Sequence, residues 1–204
     1  MRIDDGLKAA RKNFARLSPI QNFYTLNMNT QKTFTTPLLL LIFILVAGIA
    51  RSQTAGSFKL VSSTFEEGKS IPAKYTCDGA NVSPQLNWSG APQNTKSFAL
   101  IMEDPNAPMG TWVHWALYNI PDTATHLGED LNVIKLTAID GKNSWEETGY
   151  NGPCPGGTHR YIFKLYALNQ PLTTKQGMGK EELLEAMKGH VLGEARLTGL
   201  FRVE

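Results

Sequence analysis

From Phe58 onward the apolar stretches of this chain are short, partly alternating, and cut apart by Gly, Pro and Asn clusters. Antiparallel strands joined by tight turns satisfy that layout, and long helices do not. The spacing predicts strands over Phe58 to Phe65, Gln85 to Trp88, Ser97 to Glu103, Trp112 to Ile120, His159 to Leu168 and Glu194 to Phe201. The runs FALIM and YIFKLYAL are rich in β-branched and aromatic residues and short enough to be buried central strands. One helix is predicted over Lys180 to Lys188, with Leu183, Leu184 and Met187 as its apolar stripe, acids in its first turn and Gly189 as its stop. The stretch from Pro121 to Thr158 carries few regular signals beyond Asn132 to Ile139, and loops of that length in a small domain tend to be functional.

The N-terminal quarter has a different character. Leu38 to Ala50 is an apolar run of 13 residues, preceded by Lys32 and followed by Arg51, Ser52 and Gln53. A bilayer-spanning helix needs about 20 apolar residues, so the run suits the central region of a signal peptide. Ala50 and Ser52 are small residues placed for cleavage before Gln53; an uncleaved anchor is the rival reading. No Cys stands directly after the run, so a lipoprotein anchor is not expected. Met28-Asn29-Thr30-Gln31-Lys32 would itself make a normal positively charged leader start, so Met28 is a candidate translation start. The expected organisation is residues 1–52 as extension plus signal peptide and residues 53–204 as one domain, periplasmic or secreted.

Charge supports that division. Residues 1–52 hold seven of the 20 Lys/Arg and two of the 18 Asp/Glu, leaving 13 bases against 16 acids and a net charge of −3. The apparent basicity of the whole chain belongs to the leader, so no nucleic-acid partner is expected. Two cysteines, Cys77 and Cys154, follow the leader; export permits them to pair, and two free thiols lining one loop region is the other reading.

Three segments deliver polar side chains at apparent strand edges, where a rigid scaffold can aim them. In Glu103-Asp104-Pro105-Asn106-Ala107-Pro108 two prolines restrict the turn that holds Asp104. In Trp112-Val113-His114-Trp115 strand alternation puts Trp112 and His114 on one face and Val113 and Trp115 on the other. The third runs from Gly149 to Tyr161, a Gly/Pro-rich loop feeding a strand on which His159 and Tyr161 share a face and Arg160 points away. Its glycines let backbone approach a ligand closely and can form an anion-accepting nest.

Taken together, DPNAP, GTWVHW and GPCPGGTHRY resemble the signatures of the phosphatidylethanolamine-binding protein family (PEBP). YTCDGANVSPQLNW at Tyr75 to Trp88 and GHVLGEARLTGLF at Gly189 to Phe201 extend the likeness across Phe58 to Val203. It is most similar to the bacterial and archaeal kinase-inhibitor-like branch (YbhB/YbcL-type). The resemblance implies a mainly β, antiparallel Greek-key sandwich with one or two short flanking helices. It also implies an anion site surrounded by Asp104, His114, His159 and Tyr161, walled by Trp112, Ala107 and Pro153, with Tyr150 as a looser neighbour. Two departures stand out: Asn106 where the family usually carries a second aspartate, and Cys154 where relatives outside this branch commonly carry proline.

Physically, the two histidines and the Tyr161 hydroxyl could donate to a phosphate, while Asp104 could orient a histidine or accept from an ammonium. Trp112 offers an apolar or cation-accepting face. The expected function is a non-catalytic binding module for small anionic or phosphorylated ligands, with no cofactor and no metal, meeting membranes only through the export segment or lipid head groups. The alternatives are an inhibitor of an extracytoplasmic peptidase or another protein partner and, ranked last, a phosphoester hydrolase; neither GxSxG nor HExxH occurs.

Overall fold

The computed structural model describes residues 56–173 and 176–203. The expected export segment and the candidate start at Met28 lie outside them. Two sheets carry the fold. The smaller has the order β1-β3-β6, from Lys59–Ser62, Leu86–Ser89 and His126–Leu127. The larger has the order β2-β9-β8-β4-β5-β7, from Lys69–Ser70, Val191–Phe201, His159–Leu168, Ser97–Asp104, Trp112–Pro121 and Ile139–Asp140. Every pairing is antiparallel except the two-residue β2 with β9, which is parallel.

β4 is the keel. All eight of its residues are buried, because both of its faces are covered, and that is why it reads as a nearly continuous apolar run. Phe98, Leu100 and Met102 enter the core between the sheets with Leu60, Trp88, Phe163, Leu165 and Leu197. Ala99 and Ile101 enter a second core with Tyr118, Tyr166, Leu183 and Met187. That second core is roofed by the helix Lys180–Met187; the short helix Val133–Leu136 is α1 and this one is α2. Leu183 and Met187, one turn apart, are the buried pair of α2, whereas Leu184 is 39% exposed, so the stripe is narrower than its sequence suggests. Glu103 fixes α2 to the sheet by accepting from Lys164 of β8 and, at 2.7 Å, from Lys180 of α2.

The long stretch after β5 contains β6, α1 and β7. Asn132 caps α1 by accepting from the Lys135 amide at 3.2 Å. Later the chain closes on itself through a disulfide between Cys77 and Cys154, whose Cα atoms are 5.4 Å apart.

Candidate functional site

The site grows out of the core face. Because residues alternate along β4, Asp104 continues the row Phe98, Leu100, Met102 at the strand's end, and His159 and Tyr161 open the row Phe163, Leu165 on β8. β8 lies beside β4 with Glu103 opposite Ile162 and Met102 opposite Phe163, so these polar ends meet at one corner of the large sheet.

On β5 simple alternation fails. Met102 pairs with Trp115 and Glu103 with Val113, which leaves His114 as an extra residue in a bulge. Val113 therefore packs under α2 while Trp115 joins the core between the sheets, correcting the expectation that they share a face. Trp112 and His114 both reach the corner, as expected.

The corner is a cavity of about 430 Å³ lined by Asp104, Ala107, Trp112, His114, His159 and Tyr161, together with Pro108, Trp145, Cys154, Pro155, Gly156 and Gly157. Six of the eight predicted residues thus come together. Pro153 and Tyr150 do not line it. Pro153 is buried and its carbonyl accepts from the Cys77 amide at 3.0 Å. The Tyr150 hydroxyl donates to the Tyr75 carbonyl at 2.6 Å and the ring packs edge-on against Trp115; burial pushes its pKa far up. Asn106 also faces elsewhere, accepting from the Arg160 amide and guanidinium at 3.2 Å each.

Within the cavity most protons are already committed. One Asp104 carboxylate oxygen accepts from the Asn106 amide at 2.7 Å and the other lies 2.6 Å from His159 Nδ1. The Tyr161 hydroxyl is hydrogen-bonded to the same carboxylate, and burial, the Asp104 charge and that bond together push its pKa well up. It is therefore a neutral phenol beside Asp104. His114 Nδ1 lies 2.7 Å from the Asn151 carbonyl, and the Asn151 amide donates back to the His114 carbonyl at 3.0 Å. Burial lowers the His114 pKa against the opposing pull of the Asn151 and Gly152 carbonyls and of Asp104.

Trp145 is the wall residue that sequence reasoning missed. Its ring meets Trp112 and His114 edge-on at 5.3 and 5.1 Å between centroids. The buried Asn143 side chain positions it by accepting from the Trp145 amide at 2.9 Å, while the Ser144 amide donates to the Val113 carbonyl at 2.9 Å. An Asn two residues before a loop tryptophan is a turn signal that could have marked it. Among the described residues no group of three or more His, Cys, Asp or Glu is placed to hold a metal ion.

A β-rich two-sheet domain with a His/Asp/Tyr corner under a glycine-rich loop defines the class, and comparison with known proteins agrees. The family model of the phosphatidylethanolamine-binding protein matches residues 61–202. A UPF0098 protein of Methanothermobacter thermautotrophicus is 48% identical over 147 residues, covering 70% of this chain and 97% of the relative. The crystal structure of CT736, a phosphatidylethanolamine-binding protein homologue from Chlamydia trachomatis, superposes with a TM-score of 0.69 at 40% identity, covering 72% of this chain and 99% of that one. YbcL of E. coli, a member of the mammalian PEBP family, gives 0.67 at 29% identity, covering 73% and 100%. The chain belongs to the phosphatidylethanolamine-binding protein family.

Proposed function

We propose that this chain is an exported, non-catalytic binding protein whose corner cavity accepts a small phosphorylated or otherwise anionic group. The observation that carries the reading is the pairing of Asp104 with His159 at 2.6 Å beside His114 in one cavity. With the Asp104 carboxylate on its Nδ1, His159 turns its ring toward the cavity as a candidate partner for an oxyanion. Gly156 and Gly157 border the same space and allow close backbone approach. Trp112 and Trp145 supply faces for the organic part of the ligand or for an ammonium group, and the family's name adds the phosphoethanolamine head group as the first candidate. The cavity lining holds no Ser or Thr, and its cysteine is disulfide-bonded, which supports binding over covalent catalysis. Export is supported by the disulfide, which persists in oxidising compartments.

The test is isothermal titration of the protein and its His159→Ala variant with phosphoethanolamine and inorganic phosphate. Wild type should bind, and the variant should lose about 1.5–3 kcal/mol, the worth of a charge-assisted hydrogen bond. Equal affinity in the two would overturn the assignment of the site. N-terminal sequencing of the envelope-localised protein should begin at Gln53.

A second reading is favoured by the cavity rim. Met109 is 90% exposed beside the lining residue Pro108, and Trp145 is 41% exposed. Aromatic and Met side chains at the edge of a concave site suit a protein contact, as an inhibitor of an extracytoplasmic peptidase would need. Retention of a secreted peptidase's full activity at saturating concentrations of this protein counts against it.

A further inference from the structure

Asn81 stands where two distant segments of the chain meet. Its Nδ2 donates to Asn151 Oδ1 at 3.2 Å, and its Oδ1 accepts from the Gly152 amide at 2.8 Å. It reaches both from a left-handed backbone with φ of 55°, a conformation that asparagine tolerates better than most residues. Asn151 and Gly152 are the one Asn-Gly pair in the sequence. In such a pair no Cβ shields the backbone nitrogen that follows the asparagine, so that nitrogen has the freest access to the asparagine side-chain carbonyl carbon. One carboxamide therefore grips both partners of an intramolecular reaction to which this dipeptide is prone.

In that reaction the Gly152 nitrogen gives its proton to solvent base and attacks Asn151 Cγ. The new N–C bond closes a five-membered succinimide, and the bond from Cγ to Nδ2 breaks to release ammonia. Water then opens the ring at either carbonyl, leaving aspartate or isoaspartate at position 151. The folded loop withholds each requirement. The Gly152 N–H is spent on Asn81, and Gly152 is buried, seated so that an added Cβ would lie 2.4 Å from the Tyr75 carbonyl oxygen. Its nitrogen has little room to swing toward Cγ. The backbone of Asn151 is held on both sides, its amide donating to the His114 carbonyl at 3.0 Å and its carbonyl lying 2.7 Å from His114 Nδ1. The flanks are fastened by the Tyr150 hydroxyl on the Tyr75 carbonyl at 2.6 Å and by the Cys77 amide on the Pro153 carbonyl at 3.0 Å. Closing the succinimide must break the bond from Gly152 to Asn81 and turn the Asn151 side chain away from it.

We propose that Asn151 is a latent deamidation site and that Asn81 is the residue that keeps it closed. Conversion proceeds from the locally opened loop, so its rate follows the population of the open form and not the folded geometry. The inference is independent of what the cavity binds. Its consequence for the molecule is local and permanent. Isoaspartate carries the main chain through the former side chain and inserts a methylene between the amide and the carbonyl of residue 151. Those are the two groups that hold the bulge at His114, so a copy that has opened and converted does not regain that register.

The test incubates the full-length chain in mildly alkaline buffer, folded and urea-unfolded, and reads conversion at Asn151 by peptide mass spectrometry, with enzymatic methylation to count isoaspartate. Folded wild type should convert roughly tenfold or more slowly than the unfolded chain. Asn81→Gly removes the carboxamide and keeps the left-handed backbone accessible; with its fold verified by circular dichroism and its disulfide intact, it should convert roughly tenfold faster than folded wild type, having lost both hydrogen bonds. Asn81→Asp keeps the acceptor for the Gly152 amide and loses the donor to Asn151, so its rate should fall between the two, and it carries the comparison if Asn81→Gly does not fold. Folded wild type converting as fast as the unfolded chain would overturn the proposal. Folded Asn81→Gly or Asn81→Asp converting no faster than wild type would overturn the role of Asn81.

Discussion

Replacing both cysteines, Cys77→Ala with Cys154→Ala, should cost stability and spare the site. The disulfide joins residues 77 positions apart, and the chain-entropy relation gives about 4.5 kcal/mol for a loop of that size at 25 °C. Measured effects usually fall short of that relation, so a loss of about 3–4.5 kcal/mol is expected. For a domain of this size that corresponds to a fall of roughly 10–15 °C in Tm. The folded loop has other restraints. The Cys77 amide donates to the Pro153 carbonyl at 3.0 Å, the Gly152 amide donates to Asn81 Oδ1 at 2.8 Å, and Asn81 Nδ2 donates to Asn151 Oδ1 at 3.2 Å. Gly152 is also seated so closely that an added Cβ would come within 2.4 Å of the Tyr75 carbonyl oxygen. Those contacts survive loss of the crosslink, so phosphate affinity of the folded variant should be little changed even though Cys154 lines the cavity. Equilibrium urea unfolding of wild type and variant, paired with phosphate titration, separates the two effects. A stability loss below about 1 kcal/mol would refute the loop-closure argument. A collapse of affinity with stability intact would show that the crosslink acts on the folded loop instead.

Phe163→Ala should cost about 3–5 kcal/mol, because the ring is fully buried between the sheets, 5.9 Å from the Phe65 ring; chemical denaturation measures it, and a loss under 1 kcal/mol would mean the core refills the space. Glu103→Gln should cost about 1–3 kcal/mol by leaving two lysines with a neutral partner, and the same denaturation at several pH values carries the sign. Burial pushes the Glu103 pKa up, but the hydrogen bonds from Lys164 and Lys180 outweigh it and hold it below the usual carboxylate value. A depressed folded pKa contributes stability above the unfolded value near 4.5 that is lost as pH falls through the folded one. Wild type should therefore lose that increment only in acid, and Glu103→Gln should flatten this part of the acid limb; identical acid profiles would show that Glu103 is not the group responsible.

What the sequence made legible follows from what leaves a pattern in it. β4, β5, β8 and α2 bury whole faces, and their apolar runs announced them. β2, β6 and β7 are two residues each; so short a strand exists because a neighbour offers it a ladder, and it has no periodicity to read. The predicted first strand ran to Phe65, whereas β1 ends at Ser62. Phe65 is nonetheless buried, so its apolar character reflected core membership and not strand pairing. His159 and Tyr161 were put on one face by alternation because β8 is regular at the corner, whereas Asp104 was marked by the proline-bounded turn that ends β4. Pro153 as a wall and Tyr150 as a looser neighbour were implied by the family resemblance, but a motif match does not say which way a loop side chain turns. Trp145 was hidden for the opposite reason, lying 33 residues from the other cavity tryptophan, Trp112, in sequence in a stretch without a regular pattern.

The bulge at His114 explains why core and cavity can be built from the same strand. Trp115 is 1% exposed in the core between the sheets, and Val113 is buried under α2; regular alternation puts these two on one face, so one of those cores would lose its side chain. It would equally put His114 on the face opposite Trp115, away from the rows of β4 and β8 that end in Asp104 and Tyr161. Inserting one residue opposite the Met102 and Glu103 pair lets His114 and Trp115 serve the same side while Val113 keeps the other. Polar chemistry at the corner is thus obtained without withdrawing a large apolar side chain from either core. The Asn151 bonds to the His114 backbone and ring hold the bulge in that register.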